Sequence, residues 1–322
     1  MIYRLNSDVE PNTCIITVNW NAGSQLKECI NSVLAHNKGE VSRIIVVDNG
    51  SIDGSADSID NLPGVDVIRT GENLGFGAAC NIGAQAVNSR YLLFLNPDTC
   101  LEAGSLSKPL AFMGRPENAK VGICGIQLVD GKGKVSRTCS RSPTLGRLVS
   151  SAMGLDKLPG LKGLGMRMVD WDHNDTRQVD QVMGAFFLIR RDVFELVGGF
   201  DERFFVYFEE VDVARRGKIA GWESWYLSEA RAFHAGGGTS RQVKAQRLFY
   251  SLRSRLLYAL KHFPRWQAWT LVGVTNLLEL FTRSIWCLVR GDVAGVKHTW
   301  SAYRMLWRSM RHILRGEGRY NP

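Results

Sequence analysis

Cysteine is present in this sequence without any paired pattern. The seven residues (Cys14, Cys29, Cys80, Cys100, Cys124, Cys139 and Cys287) are odd in number, scattered, and never spaced C-x-x-C. That argues against a disulfide framework or a structural zinc site, and it fits a reducing cytoplasm. Histidine is sparse too. Five of the six (His36, His173, His262, His298 and His312) have no second ligand at a metal-binding spacing. No internal repeat or low-complexity tract is visible, which sets aside repeat arrays. The N-terminus, with Asp8 and Glu10 before Pro11, lacks an apolar signal-peptide core, so a cytoplasmic location is expected. Acids are scarce at the other end. From Arg241 onward there are fifteen lysines and arginines against three acids (Glu279, Asp292 and Glu317), a net charge of +12. The whole chain carries +9, so the first 240 residues carry about −3 and are not themselves a polyanion-binding surface. No recognised nucleic-acid module accompanies the basic tail, and a nucleic-acid partner is not expected.

What is there reads as a folded α/β body. At 322 residues, 45% hydrophobic and 22% charged, the chain can bury a sizeable core as one large domain or one domain with an appendage. Apolar, β-branched runs at 14–18, 44–47 and 65–68 alternate with helical spacing at 26–35 and 78–87. This βαβα rhythm predicts a mostly parallel, doubly wound sheet flanked by helices, with ligand groups at the strand ends. Further strands are expected over 121–128 and over 179–189. The stretch from Lys132 to Trp171, rich in Gly and Pro with weak periodicity, reads as a long surface excursion.

The segment Tyr91-Leu92-Leu93-Phe94-Leu95-Asn96-Pro97-Asp98 concentrates most of the information. Five large apolar residues predict a strand buried on both faces. Pro97 ends the ladder, having no N–H to donate, so Asp98 is delivered to the carboxyl edge where open sheets bind ligands. A carboxylate there suits a divalent cation and the phosphates it carries, although an Asx-turn would look the same. Asp48 likewise follows an apolar strand, within Asp48-Asn49-Gly50-Ser51, where turn chemistry competes with ligand binding. In Asn73-Leu74-Gly75-Phe76-Gly77, ahead of a helix containing Asn81, the glycines would let the backbone approach a phosphate or ribose closely. Downstream, Phe200-Asp201-Glu202 leads through aromatics to Glu209-Glu210-Val211-Asp212, with Arg215 and Arg216 a turn later. On a helix Glu209 and Asp212 share a face and Glu210 is rotated away. Aromatic surroundings raise a carboxylate pKa, as a general base requires, while an acidic first turn with salt bridges would read alike. His234 precedes a glycine run, 236–238, and is a candidate metal ligand or phosphate contact.

Taken in order, these segments resemble the inverting family-2 glycosyltransferases of GT-A fold, in particular the O-antigen and cell-wall rhamnosyltransferase branch. The likeness runs over about 12–242: Asn19-Trp20-Asn21 where the family usually has Asn-Tyr-Asn, then the segments at Asp48, Asn73, Asn96, Gly184-Ala185, Glu209-Glu210 and His234. The resemblance implies that Asp48 binds the base of a sugar nucleotide, with Asn19 and Trp20 lining the same pocket and Asn73 and Gly75 beside it. It implies that Asn96 and Asp98 stand at the D-x-D-type motif, with Asp98 and His234 ligating Mg²⁺ or Mn²⁺. Gly184 and Ala185 would floor the donor-sugar pocket, and Glu210 would be the general base. Two residues depart from the pattern. Glu210 is one methylene longer than the usual Asp, which leaves Glu209 as the alternative base. Asn96 replaces the first Asp, although Asn-Pro-Asp is common in the branch. The implied reaction is metal-dependent transfer of L-rhamnose from dTDP-β-L-rhamnose to a polyprenyl-diphosphate-linked saccharide. A UDP-hexose or UDP-galactofuranose donor, or a non-catalytic membrane-binding protein on the same scaffold, are the alternatives.

The tail reads as amphipathic helices. Trp266 to Val289 is apolar enough to suggest a membrane span, but Asn276, Glu279 and Arg283 interrupt it at helical spacing, which favours a helix lying in the interface. Trp300, Tyr303, Trp307, Met310 and Leu314 form one stripe, and Lys297, Arg304, Arg308, Arg311 and Arg315 an adjacent basic one. Such a pair suits an anionic cytoplasmic leaflet, while packing of these helices on the body is the other reading. The expected organisation is a GT-A body over 1–242 (a nucleotide-binding half, 12–100, and an acceptor and catalytic half, 101–242) with a basic amphipathic membrane-association region over 243–322. The protein would sit peripherally on the inner face of the cell membrane. The sequence leaves room for a homo-oligomer.

Overall fold

The computed structural model of the chain describes residues 12–36, 39–236 and 244–317. The N-terminal acids Asp8 and Glu10, the glycine run beyond Gly236 and the expected boundary at Gln242 lie outside these residues. Four strands run parallel in the order β3-β2-β1-β4: β1 (Thr13–Asn19), β2 (Val41–Asp48), β3 (Val65–Arg69) and β4 (Tyr91–Leu95). Between them come α1 (Ser24–His36) and α2 (Phe76–Gln85). The alternation of strand side chains divides each apolar run between two cores. Ile15, Ile44, Val46, Leu93 and Leu95 face one way, with Leu26, Cys29, Ile30 and Val33 of α1. Cys14, Ile16, Ile45, Val47, Leu92 and Phe94 face the other, with the small residues Ala79, Cys80 and Ala84 that seat α2 close on the sheet.

The chain builds outward from β1 to β3 and then crosses back to place β4 on the other side of β1. That reversal opens a crevice beyond the carboxyl ends of β1 and β4. Past β4 the sheet becomes mixed. β5 (Thr99–Leu101), β6 (Val121–Val129), β7 (Arg177–Val179), β8 (Phe186–Arg190) and β9 (Glu223–His234) complete it, with β8 antiparallel to β4 and β6 parallel to β9. α3 (Ser107–Gly114), α4 (Leu145–Met153), α5 (Arg191–Leu196) and α6 (Glu209–Ile219) connect them. The α/β expectation holds, with two corrections. The single strand expected over 179–189 is two, β7 and β8, because Gln181 to Ala185 leave the ladder to form a loop at the crevice. The excursion from Lys132 to Trp171 is not merely surface. Cys139, Leu148, Ala152 and Trp171 are buried, and α4 packs against the tail.

The tail is five helical segments sharing a third core. These are α7 (Lys244–His262), α8 (Arg265–Gly273), a π-helical turn (Val274–Glu279), α9 (Leu280–Val289) and α10 (Val293–Leu314). Phe249, Leu252, Leu256 and Tyr258 of α7 meet Leu271, Leu280, Tyr303 and Leu306, and the same cluster takes in Leu148, Phe204 and Val211 from the body. Part of the expected stripe on α10 is therefore corrected: Tyr303 turns inward with Ala302 and Leu306, whereas Trp300, Trp307 and Leu314 remain outside. The basic stripe, Lys297, Arg304, Arg308, Arg311 and Arg315, is exposed throughout. By length and composition Arg265–Val289 could cross a bilayer. The acid that interrupts its apolar pattern, however, faces the protein. Glu279 is fully buried, bound by the Arg255 guanidinium and by Arg283 at 2.7 Å, and Arg255 also donates to Thr275 Oγ1 at 2.8 Å.

Removing the acid of a buried pair strands its partner's charge, at a cost of about 3–5 kcal/mol. Glu279→Ala is therefore expected to destabilise the chain by that order in chemical denaturation, while Arg304→Ala on the exposed stripe changes it little. Equal stabilities would show that the tail helices are not held to one another through this pair.

Candidate functional site

Asp48 ends β2 beside the end of β1, in register with Asn19. It is nearly buried and held from two sides. Asn19 Nδ2 donates to its Oδ1 at 2.8 Å, and the Ser51 amide donates to its Oδ2 at 3.4 Å. The same Asn19 amide lies 3.0 Å from Ser51 Oγ and 2.8 Å from Ser55 Oγ. Asn19 is fully buried, so it holds Asp48 in place rather than lining a pocket itself, while Trp20 is partly exposed at the rim. In front of Asp48 is a cleft of about 370 Å³ bounded by Gly50, Ser51, Ile52, Arg69 and Gly71. A cleft of about 440 Å³ lined by Asn88, Arg90, Arg190 and Arg191 lies where β4 begins, at the opposite end of the strands from the crevice.

Loop 70–75 is held by a residue that turn chemistry conceals. Asn49 donates to Asn73 Oδ1 at 3.0 Å and to the Gly75 carbonyl at 3.2 Å, and its own Oδ1 accepts from the Leu74 amide at 2.9 Å. Gly75 has φ +92°, and a Cβ there would lie 2.6 Å from the Phe205 carbonyl oxygen. The adjacent Phe76 amide donates to that oxygen at 2.7 Å. The close approach that Gly75 permits is thus to the segment leading to Glu209, not to a ligand. Asn81 makes a second link across this seam, exchanging hydrogen bonds with the Phe200 backbone at 2.9 and 3.0 Å.

Asn96, Pro97 and Asp98 form the turn between β4 and β5, closed by the Thr99 amide on the Asn96 carbonyl at 3.1 Å. The Asn96 amide donates to the Ala185 carbonyl at 3.1 Å, which ties the turn to the Gly184-Ala185 loop. His234 is the last residue of the twelve-residue β9 and pairs with Thr99 in the ladder. Its Nε2 stands 3.3 Å from Asp98 Oδ1, and both side chains are nearly buried. Among the described residues no three His, Cys, Asp or Glu side chains group as a metal cage.

Glu209 and Glu210 open α6 directly after two residues in the left-handed region, Tyr207 at φ +70° and Phe208 at φ +73°. Each costs about 1–2 kcal/mol for an L-residue with a side chain, strain of the kind that concentrates at functional sites. The turn splits the two acids. Glu209 is buried under α2, with Oε2 lacking a hydrogen-bond partner among the described residues. Glu210 points at the Gly184 loop, where a Cβ on Gly184 would be 3.9 Å from its carboxyl carbon. Burial raises the pKa of both, and the neighbouring Glu210 charge pushes Glu209 well above the carboxylate range. Asp212 is different. Burial works against its ionisation, but the His262 hydrogen bond (2.6 Å), Arg216 (2.6 Å) and Lys261 (2.7 Å) hold its carboxyl below the usual value.

The structure thus brings Asp48, Asn96, Asp98, Gly184, Glu210 and His234 to one edge of the sheet. It also adds positioning residues that the sequence reading missed. Ser254 donates to the Val206 carbonyl at 2.8 Å, Arg253 to the Arg203 carbonyl at 3.0 Å, and Tyr250 stacks on Phe205 at 4.7 Å. All three lie on α7 and look like surface or core positions of an independent helix. A serine and an arginine at full burial on one face are visible only once that helix is seated.

The chain matches the family described as Glycosyl transferase family 2 over residues 14–198, a match that ends before Glu209 and His234. The N-acetylglucosaminyl-diphospho-decaprenol L-rhamnosyltransferase of Mycobacterium tuberculosis is 29% identical over 283 residues, 83% of this chain and 90% of its own length. Rhamnosyltransferase WbbL of Escherichia coli (strain K12) is 26% identical over 254 residues, 76% of this chain and 91% of its own. Two solved structures share the fold at low identity. The mannosyltransferase PcManGT from Pyrobaculum calidifontis, in complex with GDP-Man and Mn²⁺, has a TM-score of 0.54 at 13% identity, over 96% of this chain and 86% of its own. GalNAc-T7 with UDP, GalNAc and Mn²⁺ has a TM-score of 0.56 at 15% identity, over 78% of this chain and 48% of its own.

The buried Glu209 carboxyl has a stability signature. Its pKa is raised in the folded chain, so the folded chain binds this proton more tightly than the unfolded chain does. Stability therefore declines as pH rises above the ordinary glutamate value of about 4.3. Glu209→Gln, which keeps the protonated shape, is expected to be more stable than wild type at neutral pH and equal to it near pH 4. Denaturation midpoints across pH check this, and a variant less stable at neutral pH would mean that Glu209 is held ionised.

Proposed function

The chain belongs to glycosyl transferase family 2, and we propose that it transfers L-rhamnose from dTDP-β-L-rhamnose to a saccharide on a polyprenyl diphosphate. That it is a glycosyltransferase of the GT-A type, like rhamnosyltransferases in sequence, is the premise. The donor, the acceptor and the residue roles are the proposal. One observation carries it: the Asp48 cleft, the Asp98–His234 pair and Glu210 lie in succession along the carboxyl edge of one sheet. The acceptor class follows the lipid-linked substrate named for the mycobacterial relative.

In this reading Asp48, immobilised by Asn19, accepts a hydrogen bond from the base N–H of the nucleotide in the cleft before it. Asp98 and His234 would hold a divalent cation. Their facing donor atoms are 3.3 Å apart, near the edge of about 3 Å expected for an octahedral ion with bonds of about 2.1 Å. Such an ion, Mg²⁺ or Mn²⁺, would supply Lewis-acid stabilisation of the departing diphosphate. The Gly184-Ala185 loop floors the sugar position, lacking a side chain at 184 where the pyranose would sit. Glu210 reaches that same spot and takes the proton from the acceptor hydroxyl as it attacks the anomeric carbon from the face opposite the diphosphate. Its partner Glu209 is buried away from the crevice, so Glu210 is the base. The apolar outer face of α8 and α9, with the basic stripe of α10, supports a peripheral position on the inner face of the membrane, on the side of the lipid-linked acceptor.

Glu210→Gln is expected to lower kcat by about 10²–10⁴-fold with donor affinity nearly unchanged. In wild type, kcat/KM rises with pH through a value above the ordinary glutamate range, because the base acts deprotonated and its pKa is raised. Retained turnover in this variant, with loss in Glu209→Gln, would exchange the two roles. Faster turnover of a UDP-hexose or UDP-galactofuranose than of dTDP-rhamnose would overturn the donor. Asp98→Ala is expected to remove dependence on added divalent ion together with donor affinity, measured by donor titration with and without Mg²⁺ or Mn²⁺. Unchanged donor affinity would remove Asp98 from the metal site.

A further inference from the structure

The excursion between β6 and β7 has a feature that sugar transfer does not use. Its middle runs Leu155-Asp156-Lys157-Leu158-Pro159-Gly160-Leu161-Lys162-Gly163-Leu164, a leucine at every third position. The chain folds there as successive three-residue turns, each leucine amide donating to the carbonyl of the leucine before it, at 3.1, 3.2 and 3.0 Å. Ser151 anchors the start by donating to Asp156 Oδ2 at 2.6 Å. Turns of this spacing bring side chains three apart into register. Leucines in register ordinarily form a core, yet all four here are 37–47% exposed.

This ladder abuts the tail. Thr282 of α9 donates to the Ala152 carbonyl at 2.9 Å, and the Trp286 indole nitrogen lies 2.7 Å from where a side chain on Gly154 would begin. Between ladder and tail is a cleft of about 140 Å³ lined by Lys157, Arg283, Arg290, Trp286, Cys287 and Asp292, among others. Three cations meet one acid there, and one oxygen of that acid caps α10 through the Gly295 amide at 2.8 Å. Arg283 is partly committed to Glu279, and Arg290 lies over the Trp286 ring at 5.2 Å. No acid pairs with Lys157 or Arg290 among the described residues. Next along the tail are exposed apolar residues, with Leu288 at 60% and Val289 at 75%.

We propose that this cleft takes the phosphate of a membrane phospholipid headgroup, with the leucine ladder and the outer face of α8 and α9 lying in the acyl boundary on either side. The inference rests on the peripheral-membrane reading above and adds to it a specific site and a second lipid-contacting element outside the tail. A cationic cleft alone would suit a free phosphate. Exposed leucines on one side and an exposed apolar helix on the other are covered only if the phosphate arrives attached to hydrocarbon.

The test uses the full-length chain carrying Cys100→Ser, which leaves Cys287 as its partly exposed thiol, the other five being buried. Labelling of Cys287 reports on the cleft, and co-sedimentation with phosphatidylcholine vesicles containing phosphatidylglycerol reports on binding. Vesicles are expected to slow Cys287 labelling several-fold, and inorganic phosphate is expected not to. Lys157→Gln with Arg290→Gln should weaken partition by about fivefold per charge and restore labelling. Leu158→Ser with Leu161→Ser should also weaken partition. Arg304→Gln with Arg308→Gln, on the α10 stripe, should weaken partition while leaving bound protein protected at Cys287. Donor turnover in solution stays unchanged in all of these if they fold. Labelling indifferent to vesicles, or cleft variants that partition like wild type, overturns the site. Equal protection by inorganic phosphate alone overturns the lipid assignment. Wild type that binds no vesicle overturns the peripheral reading along with it.

Discussion

The edge that carries the candidate site depends on how the chain enters α6. Tyr207 and Phe208 both sit in the left-handed region, and without that double turn Glu209 and Glu210 would not separate into one buried and one crevice-facing carboxyl. Two large aromatic residues do not hold such a conformation unaided. It is held from two sides. The loop at 70–75 presses on it through Gly75 and the Phe76 amide, and α7 pulls on it through Arg253, Ser254 and the stacked Tyr250. Below it, Lys261 spans Asp201 at 2.6 Å and Asp212 at 2.7 Å, fixing the helix start to the segment before it.

Polar links of this kind recur wherever the site must be rigid. Asn19 holds Asp48, Asn49 holds the loop at 73–75, and Asn81 holds Phe200, each with a side-chain amide that both donates and accepts or bridges several acceptors. An amide carries no net charge to be desolvated at ionic cost, so Asn19 can lie fully buried against Asp48. The charged network is kept one layer away, at Asp212, Arg216, Lys261 and His262. Burial leaves the Glu210 carboxyl near the crevice with a raised pKa, while the cations around Asp212 hold its carboxyl below the usual value.

The strands and their terminal acids were legible because a buried parallel strand must be an apolar run, and a polar residue at its end must go to the edge. Hence β1, β2 and β4 and the residues Asp48 and Asp98 could be placed from the chain alone. The clamps could not. Asn49 acts on a loop 24 residues away and Asn81 on one 119 residues away, and in sequence both pass for turn or helix residues. Gly75 was legible as a point of close approach, but not what approaches it. Glu279 read as a flaw in an apolar helix because its partner Arg255 is on another helix, and burial of the pair inverts the meaning of the pattern.

That inversion makes the segment from Arg265 to Val289 an inside-out helix, with its ions toward the protein and its hydrocarbon toward the surroundings. Because the third core also borrows Leu148, Phe204 and Val211 from the body, there is no seam at which the chain can be cut. A shortened protein would uncover the cradle of its own α6. The outward face of this segment can be altered side chain by side chain, but it cannot be removed by dividing the polypeptide.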